Sequence, residues 1–114
     1  KPLATQGGYG ASKSALRAAT KHLALELGGD NIRVNSCHMG WMWGPAVEGY
    51  FDWQSQASGR SKEELMAEVT RSIPLGHIPD DGDCAKAAVF LGSDYARVVT
   101  GAALDVNGGE YMPL

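Results

Sequence analysis

The 114 residues are enough for one domain with a modest core, and 44 % apolar against 20 % charged residues is a globular balance, not a disordered one. A net charge of −3 argues against a nucleic-acid partner, because affinity for phosphate backbones comes from clustered Lys and Arg. No apolar run approaches the roughly 18 residues of a membrane span, so no membrane partner is expected either.

In chain order, residues 1–8 (KPLATQGG) carry Pro and Gly punctuation and predict a loop. The opening on Lys1, with no signal peptide, suggests that something upstream is missing. From Tyr9 to Leu27 Ala and Leu dominate, and Leu16, Leu23 and Leu27 recur on one helical face, so a helix is expected over 9–27. Gly28-Gly29 offers a left-handed stop for it. Ile32 to Cys37 (IRVNSC) reads as a short strand, and residues 40–59 as an irregular, aromatic-rich stretch. Ser61 and Glu64 form a capping box that opens a helix through about Ser72. Pro74 and Pro79 bracket a loop. Asp80, Asp81 and Asp83 then sit where a helix dipole favours anions, and that helix runs to Gly92. Ala102 to Val106 reads as a final strand before Asn107-Gly108-Gly109.

Strands joined by helical crossovers imply a parallel α/β sheet. Parallel strands are usually buried on both faces, and two alone leave backbone groups and apolar surface uncovered. On this reading the chain is half of a fold. Cys37 and Cys84 lie far apart without metal-ligand spacing and read as buried, reduced thiols of a cytoplasmic protein.

Tyr9 and Lys13 stand four residues apart at the start of the long helix and project from one face. A tyrosine hydroxyl titrates near about pH 10, too high for efficient proton transfer at neutrality. A neighbouring ammonium favours the phenolate. At about 4 Å and an effective dielectric of about 20, the attraction is roughly 4 kcal/mol before desolvation is subtracted. The Tyr-x-x-x-Lys spacing alone is weak, since many helices carry a buried ring beside a solvated lysine.

Context makes it specific. Tyr9-Gly10-Ala11-Ser12-Lys13, the Ala-rich helix, the Gly stop, Ile32-Arg33-Val34-Asn35 and the later Leu104-Asp105-Val106-Asn107-Gly108-Gly109 together resemble the short-chain dehydrogenase/reductase family, in order and across essentially all 114 residues. The resemblance implies the carboxyl-terminal half of a Rossmann-like doubly wound parallel sheet, with the dinucleotide-binding half absent. Residues 1–114 would form one part of a single domain, with a catalytic helix at 9–27, a substrate loop at 40–72 and a terminal helix and strand at 80–107. It implies Tyr9 as general acid/base, and Lys13 as the group that activates it and holds the nicotinamide ribose. It implies NAD or NADP as cofactor; the residue that chooses between them would lie upstream. The family's catalytic serine would precede Lys1, neither Thr5 nor Ser12 replaces it, and the glycine-rich pyrophosphate loop has no counterpart. The chain alone is therefore expected to be catalytically incomplete.

In the family, the strand after the long helix ends in Pro-Gly, followed by x-Ile/Val-x-Thr. Met39-Gly40-Trp41-Met42-Trp43-Gly44 resembles that pattern, with Met39 in place of proline and Gly44 in place of threonine. The implied cofactor contacts are Gly40, the Met42 backbone and position 44, where the hydroxyl is lost. Five of the nine aromatics fall between residues 41 and 53: Trp41, Trp43, Tyr50, Phe51 and Trp53. Two readings stand. Either Trp43 and Tyr50 help form a greasy wall for a bulky, apolar alcohol or ketone, or the rings simply pack the segment down.

Other signals are set aside. Gly7 to Ser14 nearly matches a phosphate-binding loop, but Ser12 stands where its second glycine must be and no strand leads in. His22, His38 and His77 lack ligand spacing, so no metal is expected. The small face Ala11, Ala15, Ala18, Ala19 reads either as core or, by family resemblance, as a contact in a homo-oligomer, a dimer or tetramer. The reading is thus an NAD(P)-dependent oxidoreductase acting on a secondary alcohol or ketone. Its alternative is an incomplete fragment serving only as an assembly module. A sugar epimerase or dehydratase would share the Tyr-Lys pair but usually carries a longer carboxyl-terminal domain.

Overall fold

The first helix, α1, spans Gly7–Leu27, so Gly7 and Gly8 belong to it and not to the expected loop. The computed structural model of the chain describes residues 4–113, and the loop reading at residues 1–3 lies outside them. No side chain caps the start of α1, and its first turn holds no acid; its helicity rests on the run of Ala and Leu. Its end differs from expectation. Gly28 is right-handed and opens a short 3-10 turn, Gly28–Asp30, and the left-handed residue is Asn31 at φ 59°. Asn31 N–H donates to Gly28 C=O (3.0 Å) and Ile32 N–H to Leu27 C=O (3.2 Å). Those two bonds are the Schellman pattern, with asparagine in glycine's usual place. The 3-10 turn extends the helix past the glycines before it can stop.

The expected strand over 32–37 is shifted. Residues 32–35 are held mostly by side chains, beside a backbone bond from Gly101 N–H to Val34 C=O (2.7 Å): Arg33 donates to Val99 C=O (3.1 Å) and Ser93 C=O (3.2 Å), and Asn35 to Val99 C=O (2.8 Å). Thr100 Oγ1 accepts from Val34 N–H, and Asn35 Oδ1 from Ala102 N–H. Side chains thus take much of the pairing between these two stretches, and the regular strand begins later, at β1, Ser36–Met39.

Residues 40–59, read as irregular, contain a helix, α2, Pro45–Ser58, and the expected substrate loop at 40–72 is mostly helical. Gly44-Pro45 looks like a turn, but Gly44 is the extended N-cap and Pro45 takes the first helical position, where a missing N–H costs nothing. Gly59, left-handed at φ 71°, ends it by donating to Ser55 C=O. The capping box is real on one side: Ser61 Oγ accepts from Glu64 N–H (3.2 Å) and opens α3, Lys62–Thr70. Helix α4, Asp81–Gly92, has Asp81 and Asp83 in its first turn. Asp80 Oδ1 accepts from Gly82 N–H just ahead of it. The last strand, β2, is Ala103–Val106.

β1 and β2 form a two-stranded sheet. Ser36 N–H bonds Ala102 C=O and Gly40 N–H bonds Val106 C=O, which is a parallel register with the helices in between as the crossover. The expected parallel α/β class is what the chain has. By packing it divides into two compact units, Lys1–His38 with Ala88–Leu104, and Met39–Ala87 with Asp105–Leu114. In the second, Phe51, Leu65, Ile73 and Ile78 form a core, with Trp41, Trp43, Val47, Met66 and Val69 against it. In the first, α1 buries only Thr20 and Ala24.

Candidate active site

In the first unit, one turn of α1 separates Tyr9 from Lys13, and the Lys13 ammonium stands 5.2 Å from the centroid of the Tyr9 ring. That distance is a cation–π contact. Tyr9 is 62 % exposed, so the phenol is open to a small molecule. Ser12 is turned inward on the helix, its hydroxyl donating to Tyr9 C=O at 2.7 Å.

The remaining expected residues lie in the second unit. Gly40 follows β1 directly. A Cβ there would come within 2.7 Å of Asn107 Cβ and 3.0 Å of Glu110 Oε2, so only glycine lets this segment approach the turn after β2. Trp43 is pinned by its backbone: its N–H donates to Pro79 C=O (2.7 Å), and its C=O accepts from Asp81 N–H (3.0 Å). Gly44 is extended, and a Cβ would lie 2.6 Å from Asp81 Oδ2. More than a hydroxyl is therefore missing at this position, because the Asp81 carboxylate fills the space a side chain would take. Among the described residues, no backbone hydrogen bond within the chain engages the N–H or C=O of Met42.

The aromatic segment is a packed cluster. Trp41 stacks on Phe51 at 5.7 Å and Trp43 on Phe51 at 6.3 Å, with Tyr50 edge-on to Phe51 at 5.4 Å. Phe51 is 1 % exposed, whereas Tyr50 is 42 % and Trp53 62 % exposed. The packing reading thus accounts for Phe51 and for much of Trp41 and Trp43. Two neighbours of Trp43 and Gly44, Lys62 and Asp81, were not foreseen from sequence, since each arrives from a helix distant in the chain.

A cavity of about 550 Å3 in the second unit contains none of the expected site residues. Its polar lining is already engaged: Asp80 caps α4, Asp83 pairs with Lys86, His77 Nδ1 meets Leu75 C=O, and Asn107 bonds Tyr111 C=O and Gly109 N–H. Cys84 also lines it; burial, then Asp83, Asp80 and Asp81, push its thiol up, and burial does the same to Cys37. Both cysteines are unbridged, Cys84 buried and Cys37 half-buried. Among the described residues there is no cluster suited to a metal ion, and no helix is long and apolar enough to cross a membrane.

Comparison with known proteins gives the context of these residues. A family model described as enoyl-(acyl carrier protein) reductase matches residues 2–110. The NADP-dependent (R)-specific alcohol dehydrogenase of Lentilactobacillus kefiri is 36 % identical over 107 residues, covering 92 % of this chain and 38 % of the relative. The 3alpha-hydroxysteroid dehydrogenase of Mediterraneibacter gnavus is 39 % identical over 101 residues, covering 89 % and 36 %. The L-sorbose reductase of Gluconobacter frateurii, solved with NADPH and L-sorbose, superimposes with a TM-score of 0.89 at 29 % identity, covering 99 % of this chain and 43 % of that one. The chain thus spans little more than a third of the length of the curated relatives it matches.

Proposed function

The chain belongs to the short-chain dehydrogenase/reductase family, and on that premise we propose that it supplies the catalytic helix and substrate-side segment of an NAD(P)-dependent oxidoreductase acting on a secondary alcohol or ketone. The chemistry a bound nicotinamide would supply is the hydride transfer. The residues here do the rest. In reduction the Tyr9 hydroxyl donates its proton to the carbonyl oxygen; in oxidation it takes the proton from the alcohol. Lys13 stabilises the negative charge left on the phenol as the proton departs, and would hold the ribose of a bound cofactor.

The observation that carries the reading is the open Tyr9 ring with the Lys13 ammonium 5.2 Å from its centroid, on one helix turn. The Met42 N–H and C=O, without a backbone partner among the described residues, fit the nicotinamide end of such a cofactor, since a carboxamide needs one donor and one acceptor to be oriented. Gly40 keeps that stretch of backbone close to the turn after β2, and Gly44 offers the cofactor backbone alone. Trp43 and the exposed Tyr50 are assigned to the substrate wall, which suits a bulky apolar substrate like that named in the hydroxysteroid relative. Unbridged thiols fit the cytoplasm, where we place the protein.

The test uses the complete protein that carries these residues. Tyr9→Phe is expected to lower kcat for NAD(P)-dependent turnover by about a hundredfold or more, the usual worth of general acid–base catalysis, while fold and cofactor affinity stay close to those of the parent. An undiminished kcat refutes the role of Tyr9.

A second reading, an assembly module only, is favoured by one feature. Ala11, Ala15, Ala18 and Ala19 are all exposed on α1, a small face that lets a second helix approach closely. We assign that face to a homo-oligomer contact. Sedimentation of an Ala15→Glu variant separates the two readings: loss of assembly with turnover intact supports the enzyme, and assembly without turnover in the parent supports the module.

A further inference from the structure

We propose that Lys62 is a positioning residue: it fixes the orientation of the Trp43 indole and thereby sets the selectivity of the substrate wall for bulky apolar groups. The inference rests on the reading of Trp43 given above and adds a residue to it. Lys62 is the first residue of α3, where exposed backbone N–H groups make a cation unfavourable. Its side chain is nonetheless only 26 % exposed. It pairs with Asp52 Oδ1 at 2.9 Å and Glu48 Oε1 at 3.5 Å, one turn apart on α2. It also stands 5.6 Å from the centroid of the Trp43 ring, within the range of a cation–π contact.

The geometry limits what Lys62 can influence. The backbone of residue 43 is already held on both sides, by Pro79 and Asp81. Phe51 stacks on the ring at 6.3 Å and is itself buried. The indole is thus packed against Phe51, and the Lys62 ammonium adds a charged contact to the same ring. Two carboxylates fix the lysine in turn, so the ion pair and the ring form one tether between the start of α3, the middle of α2 and residue 43.

The experiment is a double-mutant cycle in the complete protein, with an aryl ketone and a small aliphatic ketone as probes. Lys62→Met is expected to raise KM for the aryl ketone about two- to fivefold, the worth of a cation–π contact, with kcat and the small ketone's KM unchanged. Lys62→Arg, which keeps the charge, is expected to restore the parent value. In a Trp43→Leu background Lys62→Met should add nothing further. A second readout needs no substrate: with every tryptophan of the protein except Trp43 changed to Phe, Lys62→Met should lower the emission anisotropy of Trp43. Equal effects on both ketones, no rescue by arginine, or an effect that persists without Trp43 would each overturn the proposal. If Tyr9→Phe retains full turnover the catalytic reading falls separately, and an unchanged anisotropy in Lys62→Met then overturns this one on its own.

Discussion

The two compact units of the chain hold their residues in opposite ways. Around α2 and α3, apolar side chains are buried against one another, and glycines permit contacts that a Cβ would close. Gly108 is left-handed at φ 64°, with the position of its absent Cβ 2.7 Å from Ile73 Cγ2. Around α1, by contrast, a helix of 21 residues buries two side chains, while Tyr9, Leu16, Leu23 and Leu25 stand exposed. The unit with the core carries the expected backbone and ring contacts; the unit with little core carries the expected proton donor. Reactive groups can sit on an element whose stability comes from elsewhere, whereas a wall that shapes a substrate needs packing of its own.

The strongest test of that contrast is to remove the ring at its centre. Phe51→Ala is expected to cost about 3–5 kcal/mol, the loss typical of a fully buried aromatic. All three tryptophans lie within residues 41–53 of the same unit, so urea titration followed by tryptophan emission reads it directly. A shift worth less than about 1 kcal/mol would mean that the cluster is not the core it looks to be. Next in size is Gly108→Ala. It forces a side chain into left-handed backbone and against Ile73, for about 1–3 kcal/mol in the same titration. A neutral result would show that the turn after β2 relaxes freely.

The difference between the units also explains what was legible in the sequence. Local signals were read well: the Ala and Leu run of α1, the Ser61 cap of α3, and the acidic start and glycine end of α4. The Tyr9–Lys13 contact is local too, since one turn of helix guarantees the proximity. Where a signal had two meanings, the reading failed. Residues 40–59 read as irregular from their glycines and aromatics, yet Gly44 serves as an N-cap and Pro45 as the first helical position of α2. Two glycines after Leu27 promised a stop, yet the chain stayed right-handed to Asn31. Contacts between distant elements left no trace. Asp81 against Gly44 and Lys62 against Trp43 each join two elements far apart in sequence, and no periodicity encodes them.

Smaller effects sharpen the comparison further. Ion pairs of the second unit include Arg60 to Glu68 at 3.0 Å, Lys62 to Asp52 and Glu48, and Lys86 to Asp83 at 2.6 Å. Hydrogen bonding to Arg60 holds the Glu68 carboxyl below its ordinary range, and hydrogen bonding to Lys86 does the same for Asp83. A depressed carboxyl contributes stability above its unfolded pKa, about 4 for these groups, and loses it as the pH falls through the lower folded value. Both carboxyls are open to solvent, so the contribution is small. Arg60→Gln should therefore lower the urea midpoint slightly at neutral pH and leave it unchanged in acid. Equal loss at both would show that Arg60 acts through packing and not through charge.

The smallest effect is expected in the first unit. Leu25 is 82 % exposed on α1, and burying nothing it has little to lose: Leu25→Ala should change stability by no more than about 0.5 kcal/mol. Alanine is also the better helix former, so the sign can even favour the variant. Far-UV circular dichroism is the proper measure here, because α1 is the longest helix and holds no tryptophan. In urea its helical signal should begin to fall before the tryptophan emission of the other unit responds, since little buried surface resists its unwinding. Coincident transitions, or a loss above about 1 kcal/mol in Leu25→Ala, would mean that this face of the helix is covered in solution by a second copy or by the rest of the protein.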